Sequence, residues 1–196
     1  MNILLDLLGA LVVASLLLLM IISFQFQLTD IANRTIFTAM MISEEVDACR
    51  QMNKVLALAG INMPPDSTFV TATATRIVYR TYWDYINNSI SGSKHSVELK
   101  LSTANTSVGY AYIIKQDGVT VRDLGYILWL QDLQFGFYNK TDQAIALPVT
   151  TTTIKSIRSV DVKMTFEHES PTVGAIPLRL KMQIKCYLMN CYLKGA

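Results

Sequence analysis

An uninterrupted apolar segment at the beginning of the chain constrains this sequence more than any other feature. Residues 7–24 are almost entirely apolar, and no Lys, Arg or His occurs before Arg34. At about 1.5 Å per residue, a helix from Ile3 to Phe24 is roughly 33 Å long, which is enough to cross a hydrocarbon core of about 30 Å. Asp6 is the one charged residue in this segment. We therefore expect the chain to begin in an apolar environment, either a membrane or the interior of an assembly.

The segment differs from a cleaved secretory signal peptide in three ways. Signal peptides have a basic N-terminal region, an apolar core of about 7 to 15 residues and a small-residue cleavage site. This sequence has no basic residue before the core, a longer core, and no site of the A-x-A type after it. We predict that the helix is retained, either as a simple membrane anchor or as the polymerisation stem of a filament.

Helical periodicity continues beyond the apolar segment. Apolar residues recur at spacings of three and four, which places them on one stripe of a helix: Leu28, Ala32, Ile36, Ala39, Ile42, Val46, Cys49, Met52 and Leu56. Gly60 and then Pro64 and Pro65 end the pattern, because proline cannot continue a helix. We predict one helix from Ile3 to Ala59, roughly 85 Å long, with the stripe packed on a sheet.

After Pro65 the period changes to that of β-strands. Residues 68–83 are rich in Thr, Val, Ile, Tyr and Phe and predict one long strand or a bent pair, followed by a turn over residues 87–93. Further strands are predicted at 96–101, 109–115, 119–124 and 126–138, with Asp117 and Gly118 as a tight turn. Aromatic residues of this part are expected to pack within the sheet: Tyr79, Tyr82, Trp83, Tyr85, Tyr110, Tyr112, Tyr126 and Trp129.

Two segments near the C-terminus show the clearest strand pattern. Apolar residues alternate with polar ones in both, the period of two expected of a sheet with one dry face: Val160, Val162, Met164 and Phe166 in the first, and Leu178, Leu180, Met182 and Ile184 in the second. We predict that these segments are neighbouring antiparallel strands.

The predicted fold class is therefore α+β, with a long N-terminal helix, hydrophobic and then amphipathic, packed on an antiparallel β-sheet. Three parts follow from the change in composition. Residues 1–25 form the transmembrane or filament-core half of the helix, residues 26–60 form its amphipathic half, and residues 66–196 form the β-sheet domain.

The charge distribution gives no sign of a nucleic-acid partner. The formal net charge is +2, charged residues make up 16% of the chain, and Lys and Arg are scattered from Arg34 to Lys194. Nucleic-acid-binding domains instead concentrate basic residues in one patch. We predict no nucleic-acid partner.

The sequence also lacks the patterns of catalytic and metal sites. His95 and His168 have no neighbouring ligand pattern and are expected to be exposed loop residues. Glu44, Glu45 and Asp47 point in different directions on a helix and are expected to form a solvated acidic face. No phosphate loop, nucleophile elbow or zinc signature occurs. We predict a protein that is not an enzyme, without cofactor, metal or small-molecule substrate.

Two kinds of covalent modification are open at the level of sequence. Cys186 and Cys191 either form a disulfide in an oxidising compartment or remain free thiols. Asn87, Asn105 and Asn139 each begin an N-x-Ser/Thr sequon and are candidate glycosylation sites if the chain meets a glycosylating system.

The order of helix and sheet resembles the plan of type IV pilins and pseudopilins. Residues 130–139 (LQDLQFGFYN), followed by residues 154–162 (IKSIRSVDV), are similar to the strand-and-return pattern of the larger minor pilins and J-type pseudopilins. In these families the sheet packs on the helix and the apolar stems bundle in the filament core. An ATPase-driven machine extracts the chains from the inner membrane.

Two features differ from the family pattern. Family members carry a short basic leader ending in Gly, and a glutamate near the start of the mature helix, whereas this chain opens MNILLD. If Met1 is the initiator, the leader that prepilin peptidase removes is missing; if the chain is already mature, Asp6 takes the place of the glutamate one position later. The helix-loosening proline of the family stem is also absent, because the first proline is Pro64.

Asp6 is the residue of the stem with the clearest role in assembly. A carboxylate among apolar helices costs several kcal/mol unless it is paired. We expect Asp6 to pair with the N-terminal amine of Met1 from a neighbouring copy; the alternative is an Asp6 at the lipid headgroup level, in contact with water.

These expectations lead to one functional hypothesis and one alternative. The hypothesis is a structural subunit of a pilus-like filament, a homo-oligomer that can include other pilin-like subunits. The chain would lie in the inner membrane before assembly and at the cell surface afterwards. The alternative is a single-pass membrane-anchored accessory subunit of a membrane complex.

Overall fold

A computed structural model describes residues 2–106, 109–121, 129–169 and 176–194 of the chain. In these ranges a long helix precedes nine β-strands and a short second helix. The helices are α1 (Asn2–Ala57) and α2 (Met189–Lys194), and 3-10 turns lie at Pro65–Ser67 and Thr153–Ser156. The strands are β1 (Phe69–Ala72), β2 (Arg76–Asp84), β3 (Ser89–Thr106), β4 (Gly109–Gln116), β5 (Val119–Thr120), β6 (Leu130–Tyr138), β7 (Ala144–Ile145), β8 (Ser159–His168) and β9 (Leu178–Tyr187). The predicted α+β class is confirmed.

The chain divides into two compact units. The first contains Met1–Met40 with Glu169–Pro177. The second, which we call the head, contains Met41–His168 and Leu178–Ala196. Helix α1 runs without a break through the compositional change near residue 25 and ends at Ala57, two residues before the predicted end.

A left-handed glycine follows the end of α1. Gly60 has φ +74°, a conformation that a residue with a Cβ atom adopts only with strain. A Cβ atom at this position would lie 2.8 Å from the Cys191 sulfur and 3.0 Å from the Thr68 hydroxyl oxygen. The chain can therefore turn from α1 into the sheets only through glycine at this position.

The strands form two antiparallel sheets rather than the single sheet that the sequence predicts. The first sheet has the order β1-β2-β3-β4-β5 and the second has the order β7-β6-β8-β9. The alternation of apolar residues shows which side of a strand faces a core, but it does not show which strands pair, and for this reason the division into two sheets was not predicted.

The clearest local predictions in the sheets are confirmed. Asp117 and Gly118 both have positive φ, 50° and 86°, as a two-residue hairpin turn between β4 and β5 requires. In the second sheet β8 pairs with β9 in antiparallel register, with Val162 opposite Ile184.

Other strand boundaries differ from the prediction. Strand β3 begins at Ser89, so the turn predicted over residues 87–93 is shorter. Asp84 makes this compact turn because its Oδ1 accepts hydrogen bonds from the backbone N–H groups of Ile86 and Asn87, at 2.9 and 3.2 Å. Strand β5 covers only Val119–Thr120 of the strand predicted at 119–124, and residues 122–128 lie outside the described ranges.

The face of α1 that packs in the head is not the predicted stripe. Met52 and Leu56 of that stripe are buried, but Ile42 and Val46 are 47% and 49% exposed. Buried residues occur instead around the turns that include Met41, Ala48 and Val55. The helix has apolar residues on its buried side and also on an exposed side. Periodicity does not distinguish the two sides, so the predicted stripe includes residues of both.

The core of the head joins this helix face to both sheets. Its largest fully buried side chains come from α1 and from strands of each sheet: Met41, Met52, Leu56, Ile77, Tyr79, Leu99, Tyr112, Ile114, Leu130, Leu133, Phe137 and Phe166. The head therefore contains its own hydrophobic core, which begins at Met41.

Candidate assembly site

The apolar segment, residues 3–24 of α1, is not covered by the other residues that the structure describes. Its large apolar side chains range from 39% exposed at Ile22 to 86% exposed at Ile3. The helix is long and apolar enough to cross a membrane, and none of its most apolar stretch is buried. A contiguous apolar surface of this size is not stable in water, so the segment requires a membrane or other protein around it.

Hydroxyl groups of α1 donate to the helix backbone. The Ser15 hydroxyl donates to the Val12 carbonyl at 2.8 Å, and the Thr29 hydroxyl donates to the Gln25 carbonyl at 2.9 Å. Further along, the Thr35 hydroxyl donates to the Ile31 carbonyl at 2.8 Å. Such bonds satisfy the donor of a hydroxyl group without water, which suits these residues to an apolar environment.

Asp6 is an exposed residue within the apolar segment. No ion pair of Asp6 with another side chain occurs among the residues that the structure describes. Met1 lies outside these residues, and its pairing with Asp6 of another copy stays a prediction. The first ion pair along α1 joins Asp30 and Arg34 at 3.2 Å, after the uncharged stretch has ended.

At its other end α1 is held in the head by two buried tyrosines. The Val55 carbonyl accepts hydrogen bonds from the Tyr85 hydroxyl at 2.7 Å and from the Tyr79 hydroxyl at 3.0 Å. The two hydroxyl oxygens are 2.8 Å apart. Burial raises the pKa of both tyrosines well above the ordinary value of 10.0. Both phenols therefore stay protonated, as donation to a carbonyl requires.

The next carbonyl groups of the chain are also satisfied by side chains from elsewhere in the head. Thr81 Oγ1 donates to the Leu58 carbonyl at 2.7 Å. Asn190 Nδ2, in α2, donates to the carbonyls of Ala57 and Ala59 at 3.0 and 3.2 Å. The last turn of a helix leaves such carbonyls without helical partners. Residues from β2, from the turn after it and from α2 thus cap the end of α1 together.

Two of the three cysteines lie in the interior of the head. Cys186 and Cys191 are both buried, while Cys49 is half-buried. The Cys191 sulfur lies 3.5 Å from the Thr68 hydroxyl. Burial, with a smaller contribution from Asp161, raises the pKa of the Cys186 thiol to about 11. The choice between a disulfide and two thiols for Cys186 and Cys191 stays a prediction.

The candidate glycosylation sites lie in different surroundings. Asn87 is exposed, and its Nδ2 donates to Asp84 Oδ2 at 2.7 Å. Asn139 follows β6, and its Oδ1 accepts from the backbone N–H and the hydroxyl of Thr141 at 3.0 and 2.9 Å. The side chain of Asn105 lies outside the described residues. Glycosylation at these positions stays a prediction.

The sequence predicted that both histidines are exposed loop residues. This prediction is wrong, because both are half-buried and lie in strands. His95 lies in β3, and its Nδ1 is 2.7 Å from Asp117 Oδ2. The His168 ring, at the end of β8, packs edge-on against Trp129 with 4.8 Å between ring centroids. Strands β3 and β8 are longer than the strands predicted there. Strand β3 therefore includes His95 and strand β8 includes His168.

The acidic residues of α1 are separated by their helical positions, and a metal cluster does not form there. Asp47 is exposed and pairs with Arg50 at 3.2 Å, whereas Glu45 is half-buried and its pKa is raised by burial. Across the described ranges no group of three or more His, Cys, Asp or Glu side chains is placed to hold a metal ion.

Comparison of the chain with protein-family models, with curated proteins and with solved structures finds no match. The long N-terminal apolar helix followed by antiparallel sheets is compatible with a pilin-like architecture.

Proposed function

We propose that this protein is a membrane-anchored structural subunit that polymerises into a pilus-like or pseudopilus-like filament through its N-terminal helix. The observation that carries the proposal is the exposure of the apolar segment on all sides, together with the anchorage of the same helix in a head with a separate core. A helix of this kind is buried by a membrane before assembly and by the helices of other copies afterwards.

Packing against other copies must compensate for the loss of lipid contacts. Removing a Leu or Ile side chain from water contributes about 1.5 to 3 kcal/mol, but this gain largely vanishes when the alternative is lipid. Extraction from the membrane therefore needs work, close packing of the helices, and contacts between heads. The proposed role is structural and uses neither a cofactor nor a small-molecule substrate.

Asp6 favours a filament over an isolated anchor. A carboxylate next to apolar side chains is costly in a hydrocarbon environment unless a cation pairs with it. The apolar segment contains no cation of its own. In the proposed filament the N-terminal amine of a neighbouring copy supplies the cation.

The proposal is tested by following the chain in sheared cell-surface material and in membranes of the source cell. We expect wild-type protein in regular fibres by negative-stain microscopy. Asp6→Ala should leave the membrane-bound monomer abundant and lower the fibre yield at least tenfold, whereas Asp6→Glu should restore it. Asp66→Ala removes an exposed carboxylate of the head and serves as the control for the change in charge.

Two results would contradict the proposal. Wild-type chain found only in detergent-soluble particles of fixed size would instead support an anchored accessory subunit of a membrane complex. Unchanged fibre yield in Asp6→Ala would remove the carboxylate from the assembly mechanism.

A further inference from the structure

A groove lies beside β1, the outer strand of the first sheet. The 3-10 turn at Thr153–Ser156 contacts both β1 and the 3-10 turn at Pro65–Ser67. Residues of these elements line the groove, which we call the β1 groove and which has a volume of about 380 Å³. Ligand pockets in proteins measure about 300 to 1,000 Å³, so the β1 groove has room for a small ligand.

The Arg80 side chain leaves β2 on the side of the sheet away from the core. Its sequence neighbours Tyr79 and Thr81 are fully buried, and successive side chains of a strand point to opposite faces of the sheet. Thr71 of β1 lies on the same face as Arg80, because its cross-strand partner Val78 is two residues before Arg80. Arg80 and Thr71 both line the β1 groove.

Four polar side chains of the β1 groove have no partner among the residues that the structure describes. Arg80, which is half-buried, and Lys155, which is exposed, form no ion pair and no side-chain hydrogen bond there. The hydroxyl groups of Thr71 and Thr151 form no hydrogen bond within the same residues. A guanidinium has five N–H donors and an ammonium has three. The groove therefore offers several unused donors to a ligand.

The charge of the β1 groove suits a ligand with a single negative charge. Arg80 and Lys155 are the cations of its lining and Asp66 is the carboxylate, which gives a formal charge of +1. A phosphate group carries about −1.5 to −2 at pH 7, and Asp66 would repel it more strongly than a carboxylate. Arginine also matches a carboxylate in shape, because it can donate two parallel hydrogen bonds to the two oxygens.

The lining combines these charges with apolar surface and hydrogen-bond acceptors. Val70 is 43% exposed, and Val149 and Ile154 are half-buried. The Asp66 carboxylate can accept hydrogen bonds, and threonine hydroxyl groups can both donate and accept them. A ligand that uses all of these groups has a carboxylate, several hydroxyl groups and an apolar C–H surface.

We infer that the β1 groove binds an acidic sugar, a monosaccharide unit with one carboxylate. Arg80 binds the sugar carboxylate and Lys155 supplies a second cation beside it. Asp66 accepts hydrogen bonds from sugar hydroxyl groups, and Val70 packs against the C–H face of the ring. The inference goes beyond the proposed function and does not depend on it, because the groove is formed by residues of the head alone.

Calorimetric titration of the full-length chain in detergent tests the inference. The probes are the methyl glycosides of glucuronic and galacturonic acid, and the matched controls are methyl glucoside and methyl galactoside, which lack the carboxylate. We expect at least one acidic glycoside to bind at least tenfold more tightly than its neutral counterpart. Acetate and inorganic phosphate, which lack the sugar ring, should bind at least tenfold more weakly than that glycoside.

Substitution of the two cations assigns the binding to the β1 groove. Arg80→Gln should weaken binding of the acidic glycoside at least tenfold and remove the preference over the neutral one. Lys155→Gln, at an exposed position where the fold is insensitive to the change, should weaken it at least threefold. Arg76→Gln is the matched control, since Arg76 lies on the same strand but outside the lining and pairs with Glu98 at 2.7 Å; its affinity should stay within twofold.

Three results would overturn the inference. These are equal affinity for acidic and neutral glycosides, unchanged affinity in both Arg80→Gln and Lys155→Gln, and binding of acetate or phosphate as tight as that of the acidic glycosides. The outcome is distinguishable from that of the filament proposal. Wild-type fibres that bind neither acidic glycoside would overturn the sugar site alone, whereas a chain that binds one but forms no fibres would overturn the filament alone.

Discussion

The Val55 carbonyl shows how single residues fix the end of α1. It lies in the last turn of the helix and receives two phenolic hydroxyls, from Tyr79 and Tyr85. A buried carbonyl without a donor costs about 1 to 3 kcal/mol, and a neutral hydrogen bond contributes about 1 kcal/mol net. The second hydroxyl therefore keeps the carbonyl satisfied when the first is lost.

This redundancy predicts unequal effects for single and double substitution. Tyr79→Phe and Tyr85→Phe should each lower the free energy of unfolding by about 1 kcal/mol, and the double variant by about 2 to 3 kcal/mol. Chemical denaturation in detergent measures these values. Tyr82→Phe, at a half-buried position on the same strand as Tyr79, should change stability by less than about 0.5 kcal/mol. A neutral double variant would show that the hydroxyls do not cap the helix.

Buried acidic groups with raised pKa values predict loss of stability in alkali. The Cys186 thiol has its pKa raised from 9.0 to about 11, so it stays protonated in the folded chain while the unfolded chain ionises. Its contribution to stability is complete below pH 9 and declines between pH 9 and 11. Tyr79 and Tyr85, whose pKa values are also raised, add to the decline above pH 10.

Denaturation measured from pH 7 to 11 tests this dependence. We expect a constant free energy of unfolding to about pH 8 and a decrease above pH 9. In Cys186→Ala the decrease should begin only near pH 10, where the tyrosines contribute. A wild-type curve that stays flat to pH 11 would contradict the assignment.

Sequence patterns did not identify the residues that cap α1, for a physical reason. Tyr79 and Tyr85 are ordinary sheet residues by type, and they were expected only to pack. Their hydroxyls reach a carbonyl more than twenty positions earlier in the chain. Caps from side chains next to a helix end leave a local signal, whereas donors from a distant strand do not. Asp6 was identified because a charged residue within an apolar segment can be recognised from the sequence alone.

At the scale of elements, the hairpin turn is the feature that the sequence predicts most clearly. Asp117 and Gly118 predict a turn with two positive φ angles, and the structure has them. The pairing of β8 with β9 was predicted equally well, because both strands alternate strictly. The choice of face on α1 was wrong because a helix with apolar residues on two sides has no single preferred stripe.

The hairpin provides a comparison of two glycines. Gly118 has φ +86°, and a side chain there would meet no atom within 4 Å, so the cost of substitution is one of backbone conformation alone. Gly118→Ala should lower the free energy of unfolding by about 1 kcal/mol.

Gly92, in β3, is the matched control. A Cβ atom there also meets nothing within 4 Å, and its φ is not in the left-handed region. Gly92→Ala should be neutral or stabilise the chain by up to about 1 kcal/mol. Equal effects of the two substitutions, measured by thermal unfolding, would contradict the role given to the left-handed turn.

At the scale of the whole molecule, the head and the apolar segment need different environments. The core of the head begins at Met41 and uses no residue of the apolar segment. We predict that a chain without residues 1–40 folds cooperatively as a monomer in water, while the full chain needs detergent or a membrane. Ultracentrifugation and chemical denaturation measure these properties.

The matched comparison is the full chain in detergent, whose head should unfold at a denaturant concentration close to that of the truncated chain. A truncated chain that aggregates, or that unfolds without cooperativity, would show that the head depends on residues 1–40. The two-sheet arrangement of the head was beyond prediction because it depends on pairings between distant strands, but the independence of its core follows from where the buried residues begin.

The hydroxyl groups of Ser15, Thr29 and Thr35 donate to backbone carbonyls of α1, which affects the transfer of the helix from a membrane into an assembly. When hydroxyl groups donate to carbonyls of their own helix, their hydrogen bonds do not depend on the surroundings. The same bonds form in lipid and among protein side chains. Exchange of lipid neighbours for protein neighbours then leaves these three bonds intact. The carboxylate of Asp6, which is costly in lipid without a cation, is stabilised when the helix leaves a bilayer for a site that pairs it.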